Sequence, residues 1–246
     1  MLTYERLKNK PERFLALTSL KPDEFEQLLP AFVEAWEVHL AEQERQRSTP
    51  RRRKKGGGRK GQIKKLEDKL LFILVYFKTY PLQVVQGQLF GLSQGQANTW
   101  IHALSPILQT ALGYEKQLPS REAQNLAAVM AEGDTLDFIL DGTERRRQRP
   151  KDKAQQREYY SGKQKTHTNK NNVIVNTDTR QVIYLSQTVA GKTHDKKICD
   201  QEQIAFPANV LLAKDTGFQG YEPEGVITFQ PQKSRVGNHS ATQRSF

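Results

Sequence analysis

The apolar positions along this chain change period partway through. Phe25, Leu28, Leu29, Phe32, Trp36 and Leu40 recur at three- and four-residue spacing, which predicts one face of a helix. Pro22 suits the first turn of that helix, and Pro30 is expected to kink or divide it. Leu66, Leu70, Ile73, Leu74 and Phe77 form a second helical stripe ending before Pro81. A short helix burying Val84, Val85, Leu89 and Phe90 follows, then the tight turn Gly91-Leu92-Ser93. Gly91 suits the left-handed end of one helix, and Ser93 with Gln96 makes a capping box for the next. That third helix, from Gln94 to about Leu104, is expected to bury Ala97, Trp100, Ile101 and Leu104.

From about Gly133 the pattern becomes strand-like. Strands are predicted at 136–141, 172–176, 182–188, 210–215 and 226–229, with Asp178-Thr179 as a hairpin turn and a helix at about 194–206. Strand, strand, strand, helix, strand is the opening order of a ribonuclease-H-like mixed sheet. The fold class is therefore α/β: an N-terminal helical region with a helix-turn-helix, then a ribonuclease-H-like mixed sheet domain, incomplete at the C-terminus. The expected divisions are a helical arm (1–44), a basic flexible linker (45–65), the helix-turn-helix region (66–132) and the sheet domain (133–246).

Charge sharpens this picture. The chain of 246 residues carries a formal charge of +11, which favours a polyanionic partner. Between Arg45 and Lys65 there are eleven Lys or Arg and no acid. Arg51, Arg52, Arg53, Lys54 and Lys55, beside three glycines, suit contact with nucleic-acid phosphates through counterion release. The amides of Gln94, Gln96 and Asn98 on the third helix are suited to adenine edges in the major groove. No apolar run reaches bilayer length, and the lone Cys199 allows neither an internal disulfide nor a cysteine zinc site. The expected location is the reducing cytoplasm, with no membrane and no small-molecule cofactor. His167 and His194 lack paired metal-ligand spacing.

Two aspartates close apolar strands: Asp141 in LDFILD and Asp215 in VLLAKD. If the first and fourth strands are neighbours, these acids converge in a ligand-binding crevice. Two such carboxylates repel unless a cation lies between them, and oxygen ligands favour Mg2+ or Mn2+. Between the first two strands, the segment 145–170 holds ten basic residues. Arg145, Arg146, Arg147, Lys163 and Lys165, interleaved with Tyr159 and Tyr160, are expected to hold a DNA backbone in a basic loop.

These residues carry a resemblance. DGTE (141–144), YSGKQKTHTNKNNVIV, VAGKTHDKKI (189–198) and AKDTGFQGY (213–221) resemble motifs of Harbinger-like DDE superfamily transposases of the bacterial insertion-sequence type. The stretch LLFILVYFKTYPLQVVQGQLFGLSQGQANTWI resembles their preceding helix-turn-helix. The resemblance implies a transposase that binds, cleaves and joins DNA at insertion-sequence ends. Asp141 and Asp215 would be its first two catalytic and metal-binding acids, with a divalent metal, insertion-sequence and target DNA as partners, and a homo-oligomer as the active form. It gives His194-Asp195 as a recurring pair without a role. The family's third acid is a glutamate well past the second aspartate, and no Asp or Glu follows Glu224. The expectation is thus a transposase truncated before its third acid and inactive as this chain alone. The alternative is a non-catalytic DNA-binding form that inhibits or regulates transposition.

Overall fold

The computed structural model describes residues 1–48, 61–131, 133 and 135–231. They belong to two compact units, Met1–Leu118 and Pro119–Phe246. The basic residues 51–55 and the polar tail 233–246 lie outside the described residues.

The first unit is helical. Its elements are α1 (Tyr4–Leu7), α2 (Pro11–Thr18), α3 (Pro22–Arg45), α4 (Leu66–Thr79), α5 (Gln83–Phe90) and α6 (Gln94–Tyr114). Phe14, Phe25, Phe32, Leu70, Phe72, Ile73 and Leu104 are fully buried in one shared core. The expected arm therefore packs with the helix-turn-helix instead of standing apart. Pro22 occupies the first turn of α3, as its fixed φ favours, but Pro30 does not divide the helix. Its missing N–H removes one internal bond, and the buried face formed by Phe25, Leu28 and Phe32 carries the helix across the gap. Residues 69–75 of α4 are all buried, because α2, α3 and α6 pack around it.

The turn after α5 forms as its residues dictate. Gly91 has φ 68°, and Ser93 and Gln96 complete the capping box of α6. The buried face of α5 matches the expected one at Phe90 and differs at Val84, Val85 and Leu89. Gln86, Gly87 and Phe90 point inward, whereas Val84, Val85 and Leu89 are 49%, 46% and 38% exposed. The Gln86 side chain donates to the Phe72 carbonyl at 2.8 Å, so a polar residue holds the place assigned to valine. Helix α6 also runs through Pro106 to Tyr114, ten residues past the expected end.

The second unit contains α7 (Leu126–Ala131), β1 (Asp137–Arg146), α8 (Lys153–Tyr159), β2 (Tyr160–Ser161), β3 (Thr166–Asn176), β4 (Val182–Leu185), β5 (Val189–Ala190), α9 (Asp195–Glu202), β6 (Val210–Lys214) and β7 (Val226–Phe229). Among the described residues the sheet order is β2-β3-β1-β6-β7, with β4 and β5 also paired to β3. Strand β1 is antiparallel to β3 and parallel to β6, and β6 is parallel to β7. This is the mixed sheet that the strand and helix order predicted. The unit starts at Pro119, earlier than the expected division at 133, because Ala123, Leu126 and Met130 are buried with Phe138, Tyr184 and Leu212.

The expected basic loop between the first two strands is mostly ordered secondary structure. Antiparallel pairing continues past Asp141 as far as Arg146 against Thr168, so the hairpin extends well beyond its apolar half. The two faces of the sheet differ. Phe138, Leu140 and Leu212 are buried on one, while Ile139, Ile227 and Phe229 on the other are 42%, 52% and 55% exposed.

Candidate functional site

The site begins with register. Leu140 on β1 lies opposite Lys214 on β6 in the parallel pair. One step further, Asp141 and Asp215 follow on adjacent chains. Side chains alternate along a strand and neighbours across a sheet share a face. Leu140 and Lys214 are buried, and the aspartates that follow them are both exposed: Asp141 continues along β1 on the face of Ile139, whereas Asp215 lies just beyond the end of β6. Asp141 is not the last residue of its strand, as the apolar pattern implied, since β1 continues to Arg146.

Each of these carboxylates is held by local backbone. The Gly142 N–H donates to Asp141 Oδ1 at 2.8 Å, and the Gly217 N–H donates to Asp215 Oδ1 at 2.7 Å. Neither carboxylate has a Lys or Arg within ion-pair distance among the described residues.

A second group of charges lies beside them on the inner face. Glu144 and Lys170 face each other across β1 and β3. The Lys170 Nζ is 3.4 Å from Glu144 Oε1 and 3.0 Å from Asp195 Oδ1, and it donates to the Thr193 carbonyl at 2.9 Å. Burial would raise the Glu144 carboxyl, but hydrogen bonds with Ser161 and Thr168 and the Lys170 charge outweigh it. The net result holds Glu144 below its ordinary value of 4.5. Asn172 anchors the start of α9 by donating to the Asp195 carbonyl at 2.8 Å, and it also meets the buried Cys199 sulfur at 3.1 Å. Burial pushes the Cys199 thiol up to about 12, so it stays protonated and unreactive at neutral pH.

The two groups meet at glycines. A Cβ on Gly142 would stand 2.9 Å from Asp195 Cγ. One on Gly217 would stand 2.9 Å from both Asp195 Oδ2 and Asp215 Oδ1, so those oxygens are no more than twice that distance apart. Any side chain at either position would displace Asp195. Glu144, Lys170, Asp195 and Asp215 line one cleft of about 370 Å³, together with Tyr160, Lys163 and neighbouring loop residues.

The sequence-predicted basic residues are distributed around this hairpin. Arg145 is exposed on β1 and donates to Asn171 at 2.6 Å. Arg146 is exposed near the strand end. Arg147 stacks its guanidinium 3.8 Å from the Tyr159 ring centre. Lys163 lines the cleft with Asp215, and Lys165 is exposed with φ 51° in the turn before β3. In the helical unit, Gln94 is exposed at the start of α6, while the Gln96 side chain is engaged in the cap. Asn98 is half-buried and accepts from Gln83 at 2.9 Å. Lys170 and Glu144 were not singled out from sequence. The detectable signal was that DGTE carries a second acid three residues after the first, facing a lysine in a polar strand.

The divalent metal implied by the resemblance can be tested against the donors present. Magnesium takes oxygen ligands, keeps several waters and needs only one or two carboxylates. Asp141 and Asp215 are exposed, follow paired positions of neighbouring strands and have no Lys or Arg in ion-pair distance among the described residues, so they fit that requirement. Asp195 is committed to Lys170. Among the described residues, no group of three or more His, Cys, Asp or Glu converges on one point.

Known proteins place the chain in the same context. A family model described as a DDE superfamily endonuclease matches residues 140–245. Another, described as the helix-turn-helix of DDE superfamily endonuclease, matches residues 65–113. A curated relative from Microchaete diplosiphon, described as a probable transposase for insertion sequence element IS702, is 25% identical over 193 residues. That alignment takes in 78% of this chain and 66% of the relative's own length. No solved structure matches the chain. Among the described residues, no helix is long and apolar enough to cross a membrane. With a helix-turn-helix unit ahead of a mixed sheet, and with both family models matched in that order beside the IS702 relative, these similarities support a DDE-type insertion-sequence transposase.

Proposed function

We propose that this chain acts on DNA as a transposase, binding insertion-sequence ends and cleaving and transferring phosphodiester strands with Mg2+ or Mn2+. The observation that supports the reading is the parallel register of β1 and β6, in which the paired Leu140 and Lys214 immediately precede Asp141 and Asp215, both exposed. Asp141 and Asp215 would hold the metal through their carboxylate oxygens. Bound there, it would activate an attacking water or 3′-hydroxyl and stabilise the leaving oxygen. Arg145, Arg146, Lys163 and Lys165 would hold the phosphate backbone near these acids, and Gln94 would present an amide to base edges from the start of α6. Asp195 and Lys170 would act as positioning residues, keeping the two strand ends together from the inner face.

A second reading is favoured by the count of acids. Among the described residues no group of three or more His, Cys, Asp or Glu is placed to hold a metal, which suits a chain that binds element ends without cutting and so regulates transposition. One experiment separates the two. The full chain is incubated with supercoiled DNA carrying element ends, with and without Mg2+ or Mn2+. Metal-dependent nicking that disappears in Asp141→Ala supports the catalytic reading. DNA binding that weakens steeply with salt, but no nicking with either metal, supports the regulatory one. Failure to bind DNA at low salt sinks both.

A further inference from the structure

A second cavity, of about 570 Å³, opens beside the carboxylate cleft and is lined by Arg149, Lys153, Gln156, Arg157, Tyr160 and His167. It belongs to the α8 insertion and to the hairpin of β2 and β3, and contains none of the strand-end acids. It is an open depression on the surface, not an enclosed chamber. Three of its six walls are cationic and none is acidic. Arg149, Lys153 and Arg157 have no carboxylate within ion-pair distance among the described residues. Gln156 accepts from Arg149 at 2.9 Å and donates to the Pro150 carbonyl at 2.8 Å, which sets the direction of that guanidinium.

The remaining walls are flat rings. Tyr160 and His167 are paired across β2 and β3, their ring centres 5.7 Å apart at 73°. Tyr160 is 45% exposed, and it lines the carboxylate cleft as well as this cavity. One ring therefore separates the cleft that holds Asp215 from the cavity that holds the unpaired cations. Cations alone would suit the outside of any duplex. A concave pocket with an aromatic wall suits something else, since bases stacked inside a duplex have no free ring face to offer.

We propose that this cavity receives one unstacked DNA nucleotide of the strand lying in the carboxylate cleft, its base against Tyr160 and its phosphate against Arg149, Lys153 and Arg157. The proposal rests on the reading of the chain as a DNA-acting protein and extends it. The preferred substrate is then a DNA end with a frayed or single-stranded nucleotide beside the reacting bond, over a fully paired one.

The test uses the full chain and two probes: a blunt duplex, and the same duplex with a short single-stranded overhang carrying 2-aminopurine. Wild-type protein is expected to bind the overhang duplex more tightly and to quench the 2-aminopurine by stacking. Tyr160→Ala is expected to weaken overhang binding about ten-fold, leave blunt binding within about two-fold and abolish the quench, as loss of one base–aromatic stack predicts. Tyr160→Phe keeps the ring and should keep all three properties. If Tyr160→Ala does not fold, Lys153→Ala with Arg157→Ala must show the same selective loss. Equal affinity of the wild-type protein for both probes overturns the proposal and leaves the DNA-acting reading intact. So does an equal loss on both probes in the variants. No binding to either probe overturns both.

Discussion

Two pairs of acids adjoin each other in the sheet unit, and their surroundings are opposite. Glu144 and Asp195 have side chains 8% and 17% exposed and share one ammonium, Lys170. Asp141 and Asp215 are exposed, each with a backbone N–H on Oδ1 and no Lys or Arg in ion-pair distance among the described residues. A buried charge must be compensated within the protein, because water is not there to do it. An exposed pair of acids faces no such demand and is open to a soluble cation. The inner pair is therefore read as framework and the outer pair as a place for a ligand, although all four are carboxylates of one unit and Asp195 and Asp215 line one cleft.

The largest expected effect breaks the inner pair. Lys170→Met leaves Glu144 and Asp195 without their shared cation and should cost about 3–5 kcal/mol of folding stability, measured by chemical denaturation. A loss below about 1 kcal/mol would mean that solvent already screens the cluster, and the contrast between the two pairs would collapse.

The next effect separates function from stability. Asp141→Asn and Asp215→Asn should each lower metal-dependent strand cleavage about a hundred-fold or more. They should leave the denaturation midpoint close to the wild-type value, because both side chains are exposed and neither makes an ion pair among the described residues. Nicking unchanged in both variants would remove these residues from the chemistry. In a chain whose wild-type form does not nick, the same contrast is read from metal binding, with Mg2+ or Mn2+ raising the wild-type midpoint and not that of either variant.

The inner pair and the outer pair were not equally legible in the sequence. Asp141 and Asp215 each follow an apolar run, and that run predicts a strand. Their placement on neighbouring strands depended on strand order, which the alternation of strands and helix supplied. Glu144 and Lys170 lie in the polar half of the long hairpin, where Thr168, Asn169 and Lys170 carry no hydrophobic alternation. Backbone pairing to the apolar half carries the strand onward there, so a composition that reads as a basic loop folds as β-structure. In the helical unit, the cap at Ser93 and the turn at Gly91 were legible because local chemistry decides them. The face of α5 was not, since apolar Val84 and Val85 yield the inward position to Gln86, whose amide finds the Phe72 carbonyl.

A smaller effect extends the same logic to the helix-turn-helix. Gln96 is spent in its cap and Asn98 is paired with Gln83, but Gln94 is exposed without a side-chain hydrogen bond among the described residues. An uncommitted amide is the one available to a base. Gln94→Ala should reduce discrimination between element-end and unrelated DNA about ten-fold while leaving non-specific affinity unchanged. Competition binding at fixed salt checks it, and an equal loss on both DNAs would make Gln94 a positioning contact only.

The smallest effect is on acid stability, because it concerns one carboxyl. Glu144 titrates below its ordinary value of 4.5 in the folded protein, held down against its burial by Ser161, Thr168 and Lys170. The unfolded chain therefore binds the proton more readily. The Glu144 contribution to stability is complete above that ordinary value and is lost as pH falls through the lower folded value. Glu144→Gln should flatten this part of the acid limb when the denaturation midpoint is followed downward from about pH 5, and Lys170→Met should flatten it too by removing the charge that favours the ionised form. An acid limb of unchanged slope in Glu144→Gln would mean that this carboxyl is held no more firmly than an exposed one, and the distinction between a cation-locked inner pair and an open outer pair would then rest on burial alone.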